Sequence, residues 1–113
     1  MALEDYFSTG PAFERPVFDA VMAHVRTLGE PFLEPVSVGV FLKRDGSGVL
    51  QLRPMTKWVA LCLFMPRTVQ HPKVARKPIV AGRTVYHVVN LGGAQDVDDV
   101  VRGWITEAWE AAG

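Results

Sequence analysis

The chain has 113 residues, 49% of them apolar and 21% charged, a balance that excludes disorder and suits one globular domain with a single core. Twelve basic residues offset twelve acids, so net charge argues against a protein that coats nucleic acid nonspecifically. No apolar run is long enough to cross a bilayer, the N-terminus lacks the regions of a signal peptide, and the single Cys62 cannot close an intramolecular disulfide; a cytoplasmic location without membrane contact follows as the expectation.

Leu3, Tyr6 and Phe7 predict a short helix over residues 2–8, ended by Gly10-Pro11. A second helix is predicted over 15–29, with Pro16 in its first turn and Phe18, Val21, Met22, Val25 and Leu28 as its apolar stripe. Its His24 falls on the polar side and is expected in solvent. Gly29 and Pro31 end it.

Strands are predicted within 35–91. From Pro35 the period becomes two, and Val36, Val38, Val40 and Leu42 read as the inward side of one strand. Asp45-Gly46-Ser47-Gly48 reads as a hairpin turn, followed by a strand from Val49 to Arg53. The apolar run from Lys57 to Met65 reads as a third strand, with Cys62 as inert core between Leu61 and Leu63. Pro78 confines the segment Val74 to Val80 to a sheet edge. Ala81-Gly82 turns into a last strand, Thr84 to Leu91. A final helix is predicted over 96–111, buried through Val97, Val100, Val101, Trp104, Ile105 and Ala108. Asp96, Asp98 and Asp99 suit the exposed amides of its first turn and read as capping residues. The fold class is α+β: a mainly antiparallel sheet of about five strands, with N-terminal helices and a C-terminal helix on one face.

Charge is distributed unevenly along this order. No acid occurs between Asp45 and Asp96, yet that stretch holds Arg53, Lys57, Arg67, Lys73, Arg76, Lys77 and Arg83. If Leu42, Leu52, Tyr86 and Val88 face the helices, then Phe41, Lys43, Arg53, Arg83 and His87 fall on or beside the open face. Cations beside aromatic rings can hold an anionic ligand or the bases of a single strand. Arg67, His71, Lys73, Arg76 and Lys77 form a secondary basic patch in a loop, read as solvated. Lys and Arg on strands also protect sheet edges from aggregation.

No phosphate-cradling loop, nucleophile elbow or metal-ligand spacing is present, and neither a metal nor a cofactor is expected. The three histidines are scattered: His24 on a helix, His71 in a loop, His87 on a strand.

From Glu4 to Leu28 and from Pro35 to Trp109 the chain resembles a bacterial family, domain-of-unknown-function number 5655. The resemblance rests on Tyr6-Phe7, Phe18 with its helix, Phe41 before Lys43-Arg44, Arg53-Pro54 with Lys57, His71-Pro72, Tyr86-His87-Val88, and Gly103 to Trp109. It implies a compact α+β domain, found alone or attached to larger bacterial proteins, some linked to nucleic-acid processing, and it implies no reaction. Val38 and Gly39 stand where a polar or basic position is expected after Ser37.

The leading expectation is a non-catalytic binding module whose basic and aromatic sheet face recognises an anionic ligand, nucleic acid or protein. One alternative is a structural or oligomerisation domain, a homodimer that associates through Phe41, Val85 and Val89. Another is a small enzyme with His87 or His71 as general base. Around His87, a concave pocket favours a small ligand, and a flat apolar face favours a protein partner.

Overall fold

The structure, a computed structural model, describes residues 14–113; the helix predicted over 2–8 lies outside the described residues. Helix α1 (Glu14–Val25) buries Val17, Phe18, Val21, Met22 and Val25, a stripe that follows its three-and-four spacing. A turn closed by the Gly29 amide on the Val25 carbonyl follows. Six strands come next: β1 (Phe32–Val36), β2 (Gly39–Arg44), β3 (Ser47–Pro54), β4 (Val59–Met65), β5 (Ile79–Ala81) and β6 (Thr84–Leu91). They form one open sheet in the order β1-β2-β3-β4-β6-β5, with every pairing antiparallel. Helix α2 (Asp99–Ala112) closes the chain.

The sixth strand corrects the predicted count. The single strand expected across Val36 to Leu42 is a hairpin, because Val36 pairs with Gly39 and the chain reverses at Ser37-Val38. Val38 is exposed rather than inward; the apolar alternation ran unbroken through a turn. Gly39 is required by proximity: a Cβ there would collide with the Leu52 carbonyl oxygen of β3. The next hairpin follows its residues. Asp45 and Gly46 both have positive φ, as a two-residue primed turn demands, and Arg44 pairs with Ser47 across it. A register shift after Leu42 sets Lys43 opposite Gly48, and Val49 and Leu50 are both buried.

One sheet face carries the core. Val40, Leu42, Leu50, Leu52, Leu61, Leu63, Val89 and Leu91 join the α1 stripe and Val101, Trp104, Ile105, Ala108 and Trp109 of α2. Helix α2 lies against β3 and β4, and α1 packs beside it. Val97 is buried as predicted, but Val100 is exposed, because α2 begins at Asp99 after a separate 3-10 turn, Ala94–Asp96. Asp98 caps α2 by accepting from the Val101 amide at 3.0 Å. Its carboxyl is held below its usual range by Lys73 and then by that amide. No helix among the described residues is long and apolar enough to cross a membrane.

Between the two helices, His24 corrects a second expectation. It is half-buried, and its Nε2 lies 2.7 Å from the Thr106 Oγ1. Burial, then the positive charge of Arg102, lowers its pKa below the ordinary 6.5. A depressed pKa means the unfolded chain binds the proton more readily, so this group favours folding above about pH 6.5 and ceases to as pH falls through the folded value. Folding stability measured by urea denaturation should therefore decline as pH drops from about 7 toward about 5.5. The variant His24→Gln should show a shallower decline over the same window.

Candidate functional site

The other sheet face is built from the alternate residues. Register places Phe41, Gln51, Cys62 and Val88 in one row across β2, β3, β4 and β6, with Arg53, Ala60 and Asn90 in the next. Phe64 and Tyr86 form a third row and meet edge to face at 4.9 Å. Among the described residues no helix covers this side.

The outer edge of β6 shapes the surface further. Val74 bridges Val89 and the Ala75 amide donates to the Val88 carbonyl, while β5 pairs with β6 from Ile79 onward. The edge strand expected from Val74 to Val80 is therefore interrupted. Residues 76–78, which include Pro78, leave the ladder between two anchored points, and a proline cannot donate to it. This excursion brings Arg76 and Lys77 to the wall of a pocket of about 260 Å³ whose opposite wall includes Arg53. Gln51, Ala60, Cys62 and Val88 form the sheet floor, and Tyr86, Met55 and Ile79 complete the rim.

The cations divide by whether an acid reaches them. Arg67 makes a two-pronged ion pair with Glu107 at 2.8 and 2.9 Å. Lys73 meets Asp98 at 2.7 Å and Lys43 meets Glu34 at 2.8 Å. Among the described residues Arg53, Arg76 and Lys77 form no ion pair, and the pocket lining contains no acid. Positive charge is left unbalanced there, while around α2 it is neutralised locally.

Cys62 is not inert core. Leu61 and Leu63 point at the helices and are fully buried, so strand alternation turns the half-exposed Cys62 to the pocket floor. Burial pushes its thiol up, opposed by Arg76 and then Arg53. With the thiol uncharged, the cations are the only formal charge that the described residues bring to the pocket.

His87 is displaced most from its expected place. It is 2% exposed and faces the core with Val85 and Val89, while Tyr86 and Val88 face out. The Val69 amide donates to its Nε2 at 2.9 Å, so Nδ1 is the nitrogen that donates to the Val85 carbonyl, 3.2 Å away. Both ring nitrogens thus serve the fold, and neither is placed as a surface general base. The parity of β6 was hard to read because Val85, His87 and Val89 are about as apolar as Tyr86 and Val88. The signal lay at its end, where Leu91 must be inward and Asn90 outward. Burial of Val85 and Val89 likewise removes them from any self-association surface. His71 packs edge-on against Trp104, with centroids 5.2 Å apart, and its Nδ1 accepts from the Lys73 amide at 3.1 Å.

Of the ten residues singled out in the sequence, then, the pocket gathers Arg53, Arg76 and Lys77. Phe41 is on the same face, opposite Gln51. Arg83 lies elsewhere, in a second hollow of about 480 Å³ with Ser47, Thr84 and Phe64. That hollow is larger but less suited to an anion. It abuts Ala111 and Ala112 at the C-terminal end of α2, where unpaired carbonyls carry partial negative charge, and among the described residues Arg83 is its one cation. Met55, Cys62 and Ile79 were not anticipated as pocket residues. Cys62 was legible from alternation with its neighbours; the other two depend on where loops come to rest.

A family model described as "Domain of unknown function (DUF5655)" matches residues 3–112. No curated protein and no solved structure matches the chain.

Proposed function

We propose, for a chain that belongs to the domain-of-unknown-function family DUF5655, a non-catalytic binding role in which the Arg53–Arg76–Lys77 pocket holds a small anion. The observation that carries this reading is a set of three cations that, among the described residues, form no ion pair and line one acid-free hollow. Holding like charges together without a counterion is unfavourable, and an anion relieves the repulsion while accepting charge-assisted hydrogen bonds. Arginine suits the role because its planar fork can donate two parallel hydrogen bonds to a phosphate or carboxylate. The sheet floor supplies a fixed platform, and the anchored ends of the 76–78 excursion limit the movement of two of the cations.

The concavity favours a small ligand over a flat protein interface, and the reading requires no metal or catalytic base. The free, unbridged thiol of Cys62 fits a reducing, cytoplasmic setting. Calorimetric titration with inorganic phosphate should show binding at low ionic strength that weakens as salt is added, since the three cations are exposed and readily screened. An absence of binding at low salt would remove this function.

A further inference from the structure

The cations attract any anion, but the surfaces around them are selective. Ile79 is 59% exposed and Met55 41% exposed, and both stand on the rim of the pocket. Exposed apolar side chains around a binding hollow are put to use when a ligand covers them. On the floor, Ala60 and Cys62 have short side chains, which leaves a flat bed bounded on one side by Tyr86. We infer that the ligand is an aryl phosphomonoester, a flat apolar ring that ends in one phosphate group. This rests on the anion-binding reading and narrows it.

Three features carry the narrowing. A volume of about 260 Å³ lies just under the range of about 300–1,000 Å³ that suits drug-sized ligands, so it admits a ring and a phosphate rather than a long chain. Arg53, Arg76 and Lys77 together offer more positive charge than a single carboxylate neutralises, whereas a phosphomonoester is close to dianionic above neutral pH. The apolar rim then has a partner in the ring, and a bare inorganic anion would leave it uncovered. Neutral Cys62 adds no repulsion against the phosphate.

The test compares inorganic phosphate with phenyl phosphate, titrated into the full chain at about pH 8, where both are largely dianionic, and at one ionic strength. Phenyl phosphate should bind about tenfold more tightly or better, from the apolar area that its ring covers. The double variant Met55→Ser, Ile79→Ser should bring the two affinities close together, so that the ratio between them falls toward one. Both positions are exposed, so the core is untouched. Equal affinities in the unaltered protein would overturn the aryl assignment and leave anion binding standing; a preference that survives the double variant would overturn the role of the rim. If neither anion binds, both readings fall.

Discussion

Arg76→Glu should lower the affinity for inorganic phosphate by about a hundredfold. Losing one charge-assisted hydrogen bond costs about 1.5–3 kcal/mol, and each 1.4 kcal/mol is about a factor of ten in affinity. The introduced carboxylate adds repulsion against the anion and offers Arg53 or Lys77 a competing partner. Stability should change little, because Arg76 is exposed and makes no ion pair among the described residues. Arg67→Glu is the matched control. It is the same change of charge at another residue of the acid-free stretch, but Arg67 is engaged with Glu107 of α2 and lies outside the pocket. Its effect on affinity should stay within about threefold, which is the scale of remote electrostatics at moderate salt. Calorimetry on the three proteins at one ionic strength checks the pair. Equal losses in the two variants would mean that net charge, rather than this pocket, governs binding.

The second large effect separates the two faces of one strand. Leu61→Ala should destabilise the protein by about 2–5 kcal/mol, through lost burial and the cavity left behind. Leu61 is fully buried in the core against the helices. Domains of this size have about 5–15 kcal/mol in total, so the variant approaches the limit of folding. The neighbouring Cys62→Ala should cost less than about 1 kcal/mol, because its side chain contacts the pocket and removing it opens no core cavity. Urea denaturation of both variants reads the difference directly. Comparable losses at 61 and 62 would contradict the assigned orientation of β4.

That orientation shows what the sequence made legible. Local patterns with a unique period were readable: the α1 stripe, the Asp45-Gly46 turn, the capping Asp98 and the antiparallel succession of strands. Ambiguity arose where two alternating sets had similar polarity. In β6 the choice between Val85-His87-Val89 and Thr84-Tyr86-Val88 was balanced until Leu91 and Asn90 broke it, and taking the wrong parity moved His87 from the core to the surface. In the first hairpin, Val36, Val38 and Val40 kept an apolar rhythm through a turn that contains neither glycine nor proline at its centre.

The site was half legible for a different reason. An acid-free stretch can be counted in sequence, and Arg53 follows from strand parity once Leu52 is inward. Which of the remaining cations lack partners depends on where α2 presents Glu107 and Asp98. Those acids neutralise Arg67 and Lys73 and leave Arg76 and Lys77, their neighbours in the same loop, facing the pocket. Long-range pairing sorts one basic cluster into two parts, and nothing local distinguishes them.

The most direct test is a residue-by-residue one: backbone amide shifts of the isotope-labelled protein followed through a titration with inorganic phosphate at low ionic strength. The account predicts saturable shifts centred on Gln51 to Arg53, Cys62, Ala75 to Lys77 and Val88, with little change around Arg67, Lys73 and Arg83. Shifts centred on Arg83, or none at all, would contradict it.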